Sequence, residues 1–94
     1  MVHFKIIAGE KFEYEYNGHS IVVTAHPKKR ELIVDGKIQD AHNGLAASSI
    51  LMGKLNIDGT DKKIKVSIGR FFTNTECSVF VDHEQIELKN RSEF

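Results

Sequence analysis

Apolar and polar residues alternate along most of this chain, in short runs separated by Asx-Gly pairs. Asn17-Gly18, Asp35-Gly36 and Asp58-Gly59 each sit between two runs rich in Val, Ile, Phe or Tyr. That arrangement is the strongest short-range hairpin signal, because two-residue hairpin loops need φ > 0 and these residues reach it at least cost. Asp82-His83 is a weaker form of the same signal, His being one of the few other residues enriched at positive φ. The pattern predicts an all-β antiparallel chain, a β-sandwich or barrel of roughly seven to nine short strands linked by hairpins, with at most one short helical turn.

Closing the first hairpin on Asn17-Gly18 pairs Tyr16 with His19, Tyr14 with Ile21 and Phe12 with Val23, all on one face. Glu13, Glu15, Ser20 and Thr24 take the other face, with Val22 as the apolar exception. For the second hairpin a two-residue loop would pair Ile33 with Ile38. A three-residue loop with Gly36 in the left-handed region would pair Leu32 with Ile38 and Arg30 with Asp40. The three-residue register is the one expected here, because it puts Leu32, Val34 and Ile38 on a common face. In the third hairpin Ile64, Val66 and Ile68 point inward while Lys63, Lys65 and Ser67 point outward. In the fourth, Cys77, Val79 and Val81 face Ile86 and Leu88. The predicted core is Tyr14, Ile21, Val23, Leu32, Val34, Ile64, Val66, Ile68, Val79, Val81, Ile86 and Leu88.

Residues 43–53 stay open between a helical turn capped by Asn43 and a strand that begins at Ile50. Residues 1–90 read as one β domain and residues 91–94 as a frayed tail without pattern.

Lys plus Arg and Asp plus Glu both number 13, so no global field draws the chain to nucleic acid or an anionic membrane, and one barrier to self-association is removed. Cys77 is the single cysteine, which excludes an internal disulfide and fits a reducing compartment. The apolar stretch at the start is too short for a signal segment, and no run approaches the ~18 apolar residues of a membrane span. The expectation is a soluble cytoplasmic protein.

The order His19-x-Ile21, Lys29-Arg30-Glu31-Leu32-Ile33-Val34-Asp35-Gly36-Lys37, Leu51-Met52-Gly53-Lys54-Leu55, Lys63-Ile64-Lys65-Val66-Ser67-Ile68 and Val79-Phe80-Val81-Asp82 resembles the β-sandwich domain of the Fas apoptotic inhibitory molecule family, from His19 to Leu88. The chain departs from that family in lacking tryptophan where the family carries aromatic positions. The resemblance implies an antiparallel β-sandwich with an interaction role and no catalytic residues to carry over.

The candidate chemistry is sparse. His3, His19, His26, His42 and His83 form no His-x-His and no spacing typical of a metal site. Cys77 alternates with Val79 and Val81 and should behave as a small buried hydrophobe. Asp58 with Asp61, and Asp82 with Glu84, read as turn chemistry rather than a calcium loop. Glu13 and Glu15 share an exposed face, where nothing raises a carboxyl toward general-acid use. No dinucleotide, P-loop or nucleophile-elbow motif occurs. No cofactor or metal is expected, and the chain reads as a non-enzymatic module acting through a protein partner or as a homo-oligomer. Its candidate contact residues are Phe4 and Ile6, on the sparsely guarded edge from Met1 to Ala8, with Phe71 and Phe72. The alternative is an anionic ligand or nucleic acid held by Lys28, Lys29, Arg30, Lys63 and Lys65. Zero net charge weighs against nucleic acid there, because phosphate neutralisation supplies most such affinity. A small enzyme or metal protein using the histidines is the remaining alternative.

Overall fold

A computed structural model describes residues 9–71 and 74–93, with Phe71 described by its backbone only. Phe4, Ile6, Phe72 and the Phe71 side chain, four of the candidate contacts, therefore lie outside the described residues, as does His3. The strands are β1 (Glu10–Tyr16), β2 (His19–His26), β3 (Lys29–Val34), β4 (Lys37–Asn43), β5 (Ser48–Ile57), β6 (Thr60–Phe71), β7 (Asn74–Val81), β8 (Glu84–Gln85) and β9 (Asn90–Glu93). They form a five-stranded sheet in the order β4-β3-β2-β1-β9 and a four-stranded sheet in the order β5-β6-β7-β8. Every pairing is antiparallel. No helix occurs among the described residues, so none is long and apolar enough to cross a membrane.

All four turn signals close hairpins. Both central residues have positive φ in each: Asn17 47° and Gly18 79°, Asp35 48° and Gly36 81°, Asp58 49° and Gly59 81°, Asp82 48° and His83 69°. These are type I′ turns, whose twist matches that of the strands they join. The core between the sheets takes Phe12, Tyr14, Ile21, Val23, Leu32 and Val34 from one side and Leu51, Leu55, Ile64, Val66, Ile68, Val79 and Val81 from the other. The first hairpin has the expected register, Tyr16 opposite His19 through Phe12 opposite Val23.

The second hairpin does not have the expected register. Ile33 lies opposite Ile38 and Val34 opposite Lys37, then the register shifts so that Leu32 meets Asp40 and Arg30 meets His42. Asp35 and Gly36 both take positive φ, which a two-residue turn requires, and the surplus residue is absorbed further along β4 as a bulge at Gln39. Ile38 is consequently turned away from Leu32 and Val34 and stands 59% exposed beside Ile33.

The bulge joins the two sheets. Gln39 Nε2 donates to Lys54 O at 2.9 Å and Gln39 Oε1 accepts from Lys54 N at 2.6 Å. Asp40 Oδ2 accepts from Met52 N at 2.8 Å. The side-chain amide thus bonds the edge of β5 as a neighbouring strand would. Gly53 permits the approach, since a Cβ there would sit 2.5 Å from Gln39 Oε1 and 2.8 Å from Leu32 Cδ2.

Three other expectations are corrected or resolved. The open stretch at 43–53 resolves as strand from Ser48, with Ser49, Leu51 and Leu55 buried while Ile50 and Met52 are exposed. Leu45, 79% exposed in the crossover between sheets, offers no apolar face on which a helix would dock. Residues 90–93, expected to end in a frayed tail, pair with β1 from Glu10 opposite Glu93 to Glu13 opposite Asn90. Their anchors are polar: Asn90 Nδ2 donates to Glu13 Oε2 at 2.9 Å, and the Arg91 guanidinium lies 5.0 Å from the Phe12 ring centroid. Finally, β8 is two residues long, after which the chain leaves for the other sheet. Ile86 is therefore only half-buried and Leu88 is exposed, not core.

Gly53→Ala should lower stability by ~1–3 kcal/mol, because the new methyl forces Gln39 or Leu32 to move. Urea unfolding checks this; an unchanged midpoint would show that the approach of β4 to β5 is looser than described.

Candidate functional site

Strand alternation separates the residues that the sequence groups together. Lys28 and Lys29 are exposed, but Arg30 follows the inward phase of Leu32 and Val34 and is only 5% exposed. Its guanidinium is fixed from one side. Nε donates to Ser49 Oγ at 3.1 Å, and Nη1 donates to Pro27 O at 2.9 Å and Gly44 O at 2.7 Å. Arg30 therefore ties β3 to its own preceding turn, to the crossover and to β5. The basic run does not act as a single surface patch.

Beside Arg30, at one end of the sandwich, is a cavity of about 270 Å³ whose walls include Glu10, Ser48, Ser49, Arg70 and Thr75. Glu10 is also buried, and its Oε2 pairs with Arg91 Nη2 at 2.5 Å. Sequence reasoning missed this site, because it assembles from β1, β2, β3, β5, β6 and β7. The one available signal was Arg30 in the inward phase of β3.

Lys63 and Lys65 are exposed on the four-stranded sheet, away from Lys28 and Lys29 on the five-stranded one. Lys63 stands opposite Lys54, and Lys65 lies between Met52 and Phe80. None of these three lysines has an ion pair among the described residues. A basic cluster next to an aromatic thus exists on this face, with Phe80 in the place the sequence assigned to Phe71 and Phe72.

The outer face of the five-stranded sheet carries an apolar row. Val22 pairs with Ile33, and Ile33 with Ile38, so all three share a face. Charges nearby are paired within the chain: Lys11 Nζ to Glu13 Oε1 at 3.2 Å and Lys29 Nζ to Glu31 Oε2 at 3.6 Å.

The titratable groups are arranged for structure. Asn90 and Lys11 hold Glu13 below the usual carboxylate range, and Lys89 does the same to Glu15. This is the opposite of what a general acid needs. Asp35 is held low by His19, whose Nδ1 lies 2.7 Å from Oδ2, and by the Ser20 amide. Asp82 is held low by the Lys63 amide, with Lys62 contributing. Asp61 accepts from Asn56 Nδ2 at 3.0 Å within its own turn. Among the described residues no three His, Cys, Asp or Glu side chains are grouped as metal ligands. Tyr14 donates its hydroxyl to Cys77 O at 3.2 Å, capping the edge of β7, and burial pushes its phenol up.

Burial also pushes the Cys77 thiol up to about 11. At neutral pH it is a thiol, and the thiolate is the reactive form. Folded protein should react slowly with a thiol reagent, and urea-unfolded protein fast; labelling as fast in the native state as in urea would overturn this assignment.

Compared with family models, curated proteins and solved structures, the chain has no match in any of the three.

Proposed function

We propose that the chain is a small non-enzymatic binding module that works by contact with another protein chain, and that a second copy of itself is that chain. The observation that carries this reading is the row Val22, Ile33 and Ile38 on an outer sheet face, with Ile38 59% exposed. A solvent-facing sheet surface is ordinarily polar, and an apolar row on it gains by being covered. The neighbouring charges are already neutralised by Lys11–Glu13 and Lys29–Glu31 pairs, so this face needs no complementary charge from a partner. It can meet an identical face across a two-fold axis without placing like charges together. Zero formal net charge removes long-range repulsion between copies. The resemblance to the Fas apoptotic inhibitory molecule family, which implies an interaction role, points the same way.

A second reading is favoured by Lys54, Lys63 and Lys65 beside Phe80, the pairing of cation and aromatic used to hold single-stranded nucleic acid. Its signature is an affinity that falls by ~0.7 log unit per log unit of salt for each phosphate contacted.

Sedimentation equilibrium separates the two. Wild type should associate, Ile38→Asp should be monomeric, and Leu45→Asp, at an exposed residue in the crossover, should behave as wild type. A monomeric wild type across the concentration range would contradict self-association. Salt-sensitive oligonucleotide binding that Lys63→Ser and Lys65→Ser abolish would move the function to the lysine face.

A further inference from the structure

We propose that the cavity at the end of the sandwich is a binding site for a small oxyanion, a carboxylate or phosphate group, held by Arg30, Ser49 and Arg70. The site is separate from the apolar row and does not depend on self-association.

An arginine only 5% exposed ordinarily has a carboxylate partner, since a desolvated charge is costly unless paired. Arg30 has none among the described ion pairs. Its three hydrogen bonds all use Nε and Nη1 and all go to neutral oxygens. The two N–H groups on Nη2 have no acceptor among the described residues. Among the described residues the only fully enclosed side-chain atom without a hydrogen bond is Glu10 Oε2, which is ion-paired to Arg91, so Arg30 Nη2 is not itself an enclosed, unsatisfied donor. The open space that Arg30 lines is the cavity.

The remaining walls suit the same ligand. Ser49 Oγ accepts from Arg30 Nε, which leaves its own hydroxyl proton to donate. Arg70, an exposed residue, also lines the cavity and brings a second positive charge to it, and the Arg70 N–H to Ala47 O bond, 2.8 Å, fixes the backbone there. The one acidic wall residue, Glu10, is already neutralised by Arg91. Ser48 and Thr75 add hydroxyls. The cavity is thus positive, partly desolvated and rich in donors, the conditions under which charge-assisted hydrogen bonds are strongest. At about 270 Å³ it fits one small anionic group rather than a nucleotide.

The test follows the Arg30 Nε–H and the Ser49 and Arg70 amide signals in nitrogen-15 correlation spectra. Inorganic phosphate and acetate are titrated separately, each against sodium chloride at matched ionic strength. One or both anions should shift these signals saturably, and the anion that does so identifies the chemistry. Arg30→Gln would release Pro27 and Gly44 and risks unfolding, so the variants are Arg70→Gln and, independently, Ser49→Ala, each first shown to keep the wild-type spectrum elsewhere. Each should weaken binding roughly tenfold or more, the loss of one charge-assisted hydrogen bond. Shifts equal to those in sodium chloride for both anions, or an affinity unchanged in a folded variant, would overturn the proposal.

Discussion

The side-chain amide of Gln39 holds the sandwich together along one seam. Two open sheets present four edges, and each edge has backbone N–H and C=O groups that must be satisfied or left to pair with another chain. On β5, Gln39 bonds both backbone groups of Lys54 and Asp40 takes the Met52 amide. These bonds require the bulge, which requires the two-residue turn at Asp35-Gly36, and they require a residue without a side chain at 53. On the opposite seam the Tyr14 hydroxyl caps Cys77 O. Backbone pairing builds each sheet, and single side chains join one sheet to the other.

That closure has two consequences for function. It brings the crossover at Gly44 and the start of β5 over Arg30, so that Gly44 O and Ser49 Oγ hold the guanidinium and a donor-lined cavity forms beside it. It also fixes the phase of β4 after the turn, which sends Ile38 outward to complete the row with Val22 and Ile33. The same bulge therefore shapes the cavity and the outer face.

The hairpins and most of the core were legible, because turn chemistry and period-two alternation are local. The register of β3 against β4 was not. Grouping Leu32, Val34 and Ile38 on one face maximises apparent burial, whereas the type I′ turn and the bonds from Gln39 to Lys54 are satisfied only by turning Ile38 out. Strand β9 was hidden because Arg91, Asn90 and Lys89 anchor it through polar and cation–π contacts that leave no apolar pattern. Reading Lys28, Lys29 and Arg30 as a charge run missed that alternation sends the third of them inward. The cavity spans six strands, so its assembly is a property of the fold rather than of any segment.

Amide hydrogen exchange along the edge of β5 tests the closure most directly. Alternate amides of an antiparallel strand face away from its partner, so Ile50, Met52 and Lys54 share this edge. The Met52 and Lys54 amides should exchange slowly, while Ile50, which no described side chain caps, should exchange fast. In Gln39→Ala the Lys54 amide alone should become fast, with Met52 still held by Asp40. Wild-type Lys54 exchanging as fast as Ile50 would contradict the account.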